Sequence, residues 1–407
     1  MKTLNAGLPI LLVSIAVTTG PVQAEMPAYE VNSKMLSEKY KGKSYSPYAK
    51  RDFPNEVLWG DSHLHTGISF DAGTSGATLL PEDAYRFARG EEVTSSYGIP
   101  VKLSRPLDWL AVTDHTDNMG FIIDLIAGNP EILATPEGKD WHDRLKTASK
   151  DDKPEIAYEI IKALMVTKTF PQEIYYGPNT EGYKSTWERI VKAADQYNDP
   201  GRFTALIGYE WTSTLDGNNL HRNVLYRDGG DKALQLMPYT TTPPLGSPDP
   251  MDLWEWMAKY EKQTGGQLLA LAHNGNLSNG LMFPVDAQYT GRKLDKAYIT
   301  QRNKWEPLYE VTQIKGDGEA HPFLSPNDEF ADYETWDFGN IVPGNKVIAK
   351  EDQMLAREYA REALKIGLVL ENKFGTNPYK FGMVGATDSH TGLATAQDDN
   401  FIGKHSG

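Results

Sequence analysis

The sequence predicts an α/β fold, a barrel or an open parallel sheet, from three observations. Seven apolar runs have the length and composition of strands, and amphipathic helix patterns lie between them. Four of the runs, at residues 57–59, 109–113, 268–272 and 383–387, are followed closely by histidine. Because the carboxyl ends of parallel strands meet at one rim, we expect these histidines to converge there. Seven strands with intervening helices favour the barrel.

The first strand, near residues 56–62, leads into His63 and His65. Successive side chains of a strand point to opposite faces, so these two point the same way and can hold one metal ion between them. Two chance histidines on a solvated strand are the alternative. However, five of the nine histidines lie at the four strand ends, which favours a metal site. The glycine-rich loop that follows carries Asp71, either as a further ligand or as an ordinary turn residue.

Length and composition exclude several classes of protein. The 407 residues can form one large barrel or two medium domains. A formal net charge of −14 argues against nucleic-acid binding, because phosphate backbones are held by basic surfaces. The chain contains no cysteine, so a disulfide framework is excluded and any metal must be held by nitrogen and oxygen atoms.

The N-terminus has the pattern of a secretory signal peptide. A basic start at Lys2 precedes an apolar segment at 8–17 and small residues before Glu25. The apolar segment is well short of the ~20 residues that span a bilayer. We therefore expect a signal peptide at 1–24, a polar N-terminal extension at 25–55, and a secreted or periplasmic protein that does not associate with the membrane after cleavage.

The middle of the chain predicts a helical insertion. A helix begins at Pro81, since proline and acidic residues fill its first turn. After the second strand, residues 120–200 have mainly helical periodicity and end in a turn sequence. An insertion on this side of the sheet can form a lid over the site. His142 within it is interpreted as a surface residue of a helix.

The third strand, 203–211, carries Glu210 near its end, and a strong turn signal separates it from His221. A hairpin would bring His221 to the same rim as Glu210. Glutamate at a strand end is usually a solvated charge, but the apolar neighbours and the histidine across the turn favour a ligand. His115 and His273 end the second and fifth strands.

Three further strands complete the predicted sheet. A helix over 251–264 leads into the strand that ends at His273, and a strand at 308–313 is followed by a polar loop over 315–321. A long amphipathic helix over 350–372 precedes the last strand, which carries Asp388 and His390.

These motifs resemble the PHP superfamily, the polymerase and histidinol phosphatase metallohydrolases, and more narrowly an exported bacterial PHP-like branch catalogued as a domain of unknown function. The resemblance covers residues 56–407 and rests on four phrases in order. They are Gly60-Asp61-Ser62-His63-Leu64-His65-Thr66-Gly67, Asn219-Leu220-His221-Arg222-Asn223, Lys315-Gly316-Asp317-Gly318-Glu319 and Ala386-Thr387-Asp388-Ser389-His390. The fold that it implies is a distorted (β/α)7 TIM-like barrel. Members of this branch run on past the last motif, so the resemblance also implies a barrel that lacks its C-terminal elements.

The resemblance implies a centre of two or three divalent ions, zinc, manganese or iron. The residues that match the superfamily's ligands are His63, His65, His115, Glu210, His221, His273, Asp388 and His390. Glu210 would bridge two ions. Many members of the superfamily have a third histidine early in the chain. At that place this chain has Asp71, so binding of a third ion would depend on Asp71.

We expect such a centre to activate water against a phosphoric ester, with a small anionic ester as substrate. Asp388 would ligate a metal and orient the water, and Arg222 and Asn223 would contact oxygens of the substrate. One alternative is a hydrolase of sulfate esters or amides on the same centre. The other is a metal-dependent binding protein without catalysis, which a centre with no open position would favour. The sequence leaves the oligomeric state open.

Overall fold

The computed structural model describes residues 57–149, 152–165, 167–339, 350–395, 397 and 400–404. The predicted signal peptide at 1–24 and the extension at 25–55 lie outside the described residues. The chain divides into two units, Met1–Val57 and Leu58–Gly407, and the architecture below is that of the second. Among the described helices, none has the length and apolar character needed to cross a membrane.

Seven strands form a barrel-like sheet in which neighbours in sequence are neighbours in space. They are β1 (Gly60–Leu64), β2 (Trp109–Val112), β3 (Thr204–Trp211), β4 (Arg222–Tyr226), β5 (Leu268–His273), β6 (Leu308–Gln313) and β7 (Gly382–Gly385). A bridge between Leu64 and Ser389 joins the end of β1 to the segment after β7. The sheet is therefore nearly closed, and each predicted strand is present.

The sheet is mixed in direction, with the predicted hairpin between β3 and β4 set among otherwise parallel neighbours, and β4 is antiparallel to β5 as well. β4 runs antiparallel to both β3 and β5, whereas the other neighbouring strands are parallel. The ten residues at 212–221 between β3 and β4 form a small hairpin, with Thr214–Leu215 paired to Asn218–Asn219. Parallel strands need a crossover of a dozen or more residues, so this short connection reverses the chain. The start of β4 consequently lies at the rim where β3 ends.

Twelve α-helices accompany the described strands. They are α1 (Phe70–Thr74), α2 (Pro81–Ala88), α3 (Phe121–Ala127), α4 (Pro130–Leu133), α5 (Pro136–Thr147), α6 (Lys153–Met165), α7 (Glu181–Tyr197), α8 (Gly230–Ala233), α9 (Pro250–Thr264), α10 (Lys296–Trp305), α11 (Asp352–Leu355) and α12 (Ala360–Phe374). Single 3₁₀ turns lie at Gln172–Ile174 and Gly275–Leu277, and short strand pairs lie at Val93–Thr94 with Pro100–Val101 and at Gly316–Asp317 with β6.

The ends of α9 follow from local chemistry. The Asp249 side chain accepts a hydrogen bond from the Met251 amide at 2.9 Å, and proline occupies the first turn. The helix ends at Gly265, whose φ of +67° lies in the left-handed region that glycine adopts without strain. These signals are contiguous in sequence, and the helix predicted at 251–264 is accordingly found.

The helix predicted over 350–372 is divided in the structure into α11 and α12. Tyr359 between them has an extended backbone. The Ala360 and Arg361 amides donate to the carbonyls of Gly318 and Glu319 at 2.8 and 3.1 Å. These contacts with a distant loop satisfy amides at the start of α12 and replace the continuous helix that the local pattern predicts.

The helices between β2 and β3 pack against α1 and thereby support it. The ring of Phe70 in α1 lies 6.3 Å from that of Phe121 and 6.1 Å from that of Phe170, centroid to centroid. All three rings are buried. The stretch predicted as a helical insertion thus fixes the short helix that carries Asp71. The last helix of the stretch, α7, packs instead on α2 and β3.

Candidate metal centre

His63 and His65 lie at the end of β1 and are fully buried. Their side chains share one face of the strand, and the two Nε2 atoms are 3.1 Å apart. Two ring nitrogens at this distance cannot both carry hydrogens pointed at each other. The arrangement suits two nitrogen lone pairs that face one cation.

The barrel closure brings the last motif against this pair. The Asp388 amide donates to the His63 carbonyl at 2.9 Å, and the His65 amide donates to the Ser389 carbonyl at 2.9 Å. Buried Asp61 accepts from the Thr387 amide at 3.1 Å and from the Thr387 hydroxyl. Asp61 in the first motif therefore fixes the register of the last one.

Glu210 is the centre of the cluster. Its Oε1 lies 2.7 Å from His221 Nδ1 and 3.0 Å from His273 Nε2. Its Oε2 lies 3.1 Å from both His65 Nε2 and His115 Nδ1. The two oxygens of one carboxylate thus face two different groups of imidazoles.

Asp71 and His390 extend the cluster on its outer side. Asp71 Oδ2 lies 2.9 Å from His390 Nε2 and 3.3 Å from His115 Nε2. Its side chain is 31% exposed, whereas that of Glu210 is 1% exposed. The Asp71 carboxylate therefore occupies the most accessible part of the cluster.

Asp388 connects the imidazoles to two lysines. Its Oδ1 lies 3.2 Å from His65 Nε2 and 3.4 Å from His63 Nε2. Its Oδ2 contacts Lys315 Nζ and lies 3.4 Å from Lys404 Nζ. The residue has a φ of +51°, a left-handed conformation that aspartate tolerates better than most residues.

Hydroxyl groups and one carboxylate outside the ligand set hold ring nitrogens of several imidazoles; in His115 this nitrogen is the same Nδ1 that faces Glu210. His65 Nδ1 lies 2.8 Å from Ser69 Oγ, His115 Nδ1 lies 2.6 Å from Thr212 Oγ1, and His221 Nε2 lies 2.8 Å from Thr214 Oγ1. His63 Nδ1 lies 3.1 Å from both oxygens of Glu310. Such outer partners fix the ring orientation and tautomer of metal-binding histidines.

Burial and charge set the protonation of the cluster. Burial lowers the pKa of His65 and of His273 to about 4 and that of His221 to about 3. These rings are therefore neutral at pH 7, the state that binds metals. Burial alone would raise the pKa of Glu210, but the surrounding imidazoles hold it well below its usual value.

In the outer part of the cluster, burial and neighbouring charges shift the pKa values of His115 and of two lysines. Burial alone would lower the pKa of His115, but the carboxylates of Asp71 and Glu210 raise it to about 10. Burial lowers the pKa of Lys404 to about 8. Burial together with the Lys404 ammonium lowers the pKa of Lys315 well below its usual range.

The donor set fits divalent transition metals. Three groups have ligand atoms within 4.8 Å of one another. They are His65 with His115 and His390, His63 with His65 and Asp388, and His63 with Glu210 and His273. Asp388 Oδ1 and His221 Nδ1 are buried and make no hydrogen bond within the described part of the chain, although both lie close to other ligand atoms. Imidazole and carboxylate donors without sulfur suit zinc, manganese and iron.

The structure brings every predicted metal ligand into one cluster, including Asp71 and His221. Asn223 lies opposite Glu210 in the β3–β4 register and is buried, with its Nδ2 3.4 Å from the Ser62 carbonyl. Arg222 is directed elsewhere. Its Nε donates to Glu306 at 3.0 Å and its guanidinium also donates to the Leu220 carbonyl, so the structure does not bring it to the cluster.

The sequence reasoning did not single out three residues that contact the ligands. Glu310 lies in the strand predicted at 308–313 and was given no role, although a carboxylate inside an apolar run was a usable signal. Lys315 lay within a recognised motif but was given no role. Lys404 follows no motif, and no pattern in the sequence indicates it.

One comparison with known proteins identifies the family. A family model described as a protein of unknown function, DUF3604, matches residues 52–407. No curated protein and no solved structure matches the chain. The match covers all seven strands and all the ligands described above. The chain therefore belongs to the DUF3604 family.

Proposed function

We propose that this protein is a metal-dependent hydrolase that uses a centre of two or three divalent ions to cleave a phosphoric ester. The observation that carries the proposal is the position of Glu210, whose two oxygens face separate groups of imidazoles at 2.7–3.1 Å. A carboxylate so placed is suited to bridge two ions. Six histidines and three carboxylates exceed the four ligands that a single tetrahedral zinc needs.

The chain's own residues have assignable roles in this proposal. His63, His65 and Asp388 would hold one ion, His221 and His273 would hold another, and Glu210 would be shared between these two ions. Asp71, His115 and His390 would hold a third. Bound divalent ions would supply acidification of a water molecule and stabilisation of charge on oxygen. Glu310 and the hydroxyls beside the rings hold the imidazoles in place.

The reaction would be hydrolysis of one ester bond. The oxygen of water forms a bond to phosphorus, the bond from phosphorus to the ester oxygen breaks, and the departing oxygen takes up a proton. Asp71 is the ligand most exposed to solvent, which supports approach of the substrate from its side of the rim. Carboxylates and imidazoles at the ends of adjacent strands can orient the reacting oxygens without moving.

We further propose that the chain is a PHP superfamily member with the superfamily's distorted (β/α)7 barrel, exported by a cleaved signal peptide. Seven strands in sequence order and the H-x-H and D-x-H motifs at one rim support the first part. The Lys2 to Ala24 pattern supports the second. N-terminal sequencing of exported protein should give a start at or near Glu25.

The test is metal analysis of the purified full-length protein together with a panel of esters. We expect at least two ions per chain and turnover of a phosphoric ester that is lost on chelation and restored by zinc, manganese or iron. Turnover of only a sulfate ester or an amide would mean that the same centre hydrolyses a different class of substrate. Bound metal without turnover on any class would indicate a binding protein.

A further inference from the structure

Two lysines from separate parts of the chain converge on the Asp388 carboxylate. Lys315 follows β6, and Lys404 lies in the segment that returns to the rim after β7. Lys315 Nζ contacts Asp388 Oδ2, and Lys404 Nζ lies 3.4 Å from the same oxygen and 2.9 Å from the Asp388 carbonyl. The side chains of the two lysines are 13% and 22% exposed.

The backbones of both lysines are held in position. The Lys315 amide donates to Gln313 Oε1 at 2.5 Å, and its carbonyl accepts from Asn276 Nδ2 at 3.1 Å. The Lys404 carbonyl accepts from the His390 amide at 2.7 Å. Both ammonium groups are therefore presented by fixed parts of the rim and do not depend on a chance arrangement of flexible surface chains.

The pair provides more positive charge than Asp388 requires. Gln313 Nε2 already donates to Asp388 Oδ2 at 2.7 Å, and the other oxygen of Asp388 faces the imidazoles of His63 and His65. One ammonium would suffice as a counter-ion. A second cation close to the first is repelled by it, and that repulsion is relieved when an anion lies between them.

We propose that Lys315 and Lys404 together bind the terminal, doubly charged phosphoryl group of a phosphomonoester substrate. The inference rests on the proposed function, because the ammonium groups are one carboxylate away from the imidazole cluster. Each ammonium donates to a non-bridging oxygen, and such charge-assisted hydrogen bonds are stronger than neutral ones. A phosphodiester or a sulfate monoester has a single negative charge and gains less from two cations.

The first experiment measures binding of inorganic phosphate to the metal-loaded full chain by calorimetry. Lys315→Met and Lys404→Met should each weaken phosphate binding roughly 10- to 100-fold, the range for a lost hydrogen bond to a charged group. Both variants should keep the metal content of the unaltered protein. Lys365→Met is the matched control, since Lys365 is exposed and forms its ion pair among the described residues with Glu362 on α12.

The second experiment compares the p-nitrophenyl monoester and diester of phosphate. The Lys→Met variants should lower kcat/KM for the monoester at least about tenfold more than for the diester. Lys404→Arg should recover part of the loss, because it restores the charge. Equal losses on the two esters would overturn the proposal, and so would unaltered phosphate affinity in both Lys→Met variants.

Two results separate this inference from the proposed function. Lysine-dependent phosphate binding in a protein that hydrolyses no ester would sustain the lysine pair and refute the hydrolase. Hydrolysis that persists while phosphate affinity falls only in proportion to lost metal would refute the lysine pair, since the lysines would then serve only to hold the cluster together.

Discussion

Two clusters of buried charged residues lie close to β4, and they differ in whether their polar atoms have hydrogen-bond partners. The first is the histidine and carboxylate cluster around Glu210. The second consists of Glu306 between Arg222 and Arg302, all at most 4% exposed. Glu306 accepts from Arg222 Nε at 3.0 Å and lies 3.1 Å from Arg302 Nε. His221, which directly precedes β4, and Arg222, the first residue of β4, belong to different clusters because consecutive side chains of an extended chain point to opposite faces.

In the arginine cluster, the charged groups are paired with one another and with nearby oxygen atoms. Arg302 also donates to the Met282 carbonyl at 2.6 Å and to the Tyr298 hydroxyl at 2.9 Å. The cluster around Glu210 instead has buried ligand atoms close together without hydrogen bonds in the described part of the chain. Burial of charge alone therefore does not mark a functional site. The informative feature is donor atoms that face one another and fit a cation.

The strongest test of this contrast is Glu210→Gln. The amide keeps the size of the side chain and removes the charge shared by the two imidazole groups. We expect kcat on the responsive ester to fall at least about 10³-fold and the bound metal to fall by about one ion per chain. Turnover and elemental analysis on the same preparation measure both. Normal turnover with undiminished metal would refute the bridging role.

The matched change in the other cluster is Glu306→Gln. It leaves two buried arginines without their carboxylate, which costs about 3–5 kcal/mol in the free energy of unfolding. Denaturant unfolding measures this loss. The metal bound per folded chain should not change. A Glu306→Gln protein with normal stability and reduced metal would show that the two clusters are not separate in role.

Glu310→Gln tests the residues that contact the proposed ligands without binding metal themselves. Glu310 contacts His63 Nδ1 and is not one of the proposed ligands, so the variant keeps every ligand and weakens the hold on the His63 ring. Loss of such an outer partner typically lowers metal affinity about 10- to 100-fold. Competition with a chelator of known affinity measures this shift. An unchanged affinity would mean that packing alone orients His63.

His142→Ala should have the smallest effect. His142 lies on α5, and its Nδ1 is 2.7 Å from the Leu125 carbonyl, so the variant loses about 1 kcal/mol of stability at most. Metal content and turnover should equal those of the unaltered protein. A loss of metal in this variant would show that the helical insertion contributes to the metal centre.

The local part of the site could be predicted from the sequence. Alternation along a strand places His63 with His65, and a turn signal brings His221 back to Glu210, because both depend on residues close in the chain. The same alternation places Asn223 on the face of His221 and Arg222 on the opposite face. Both positions are buried, and only the structure shows that the partner of Arg222 is Glu306.

The sequence by itself determined the seven strands, the order of the ligands along them, and the histidines and carboxylates that one rim would share. Only the tertiary structure decided that β4 also pairs antiparallel with β5, that Glu310 supports His63 across 247 positions, and that Lys404 reaches Asp388. Strand patterns and turns follow from steric and hydrophobic preferences of neighbouring residues. Contacts between distant residues depend on how the sheet closes, which no local pattern specifies.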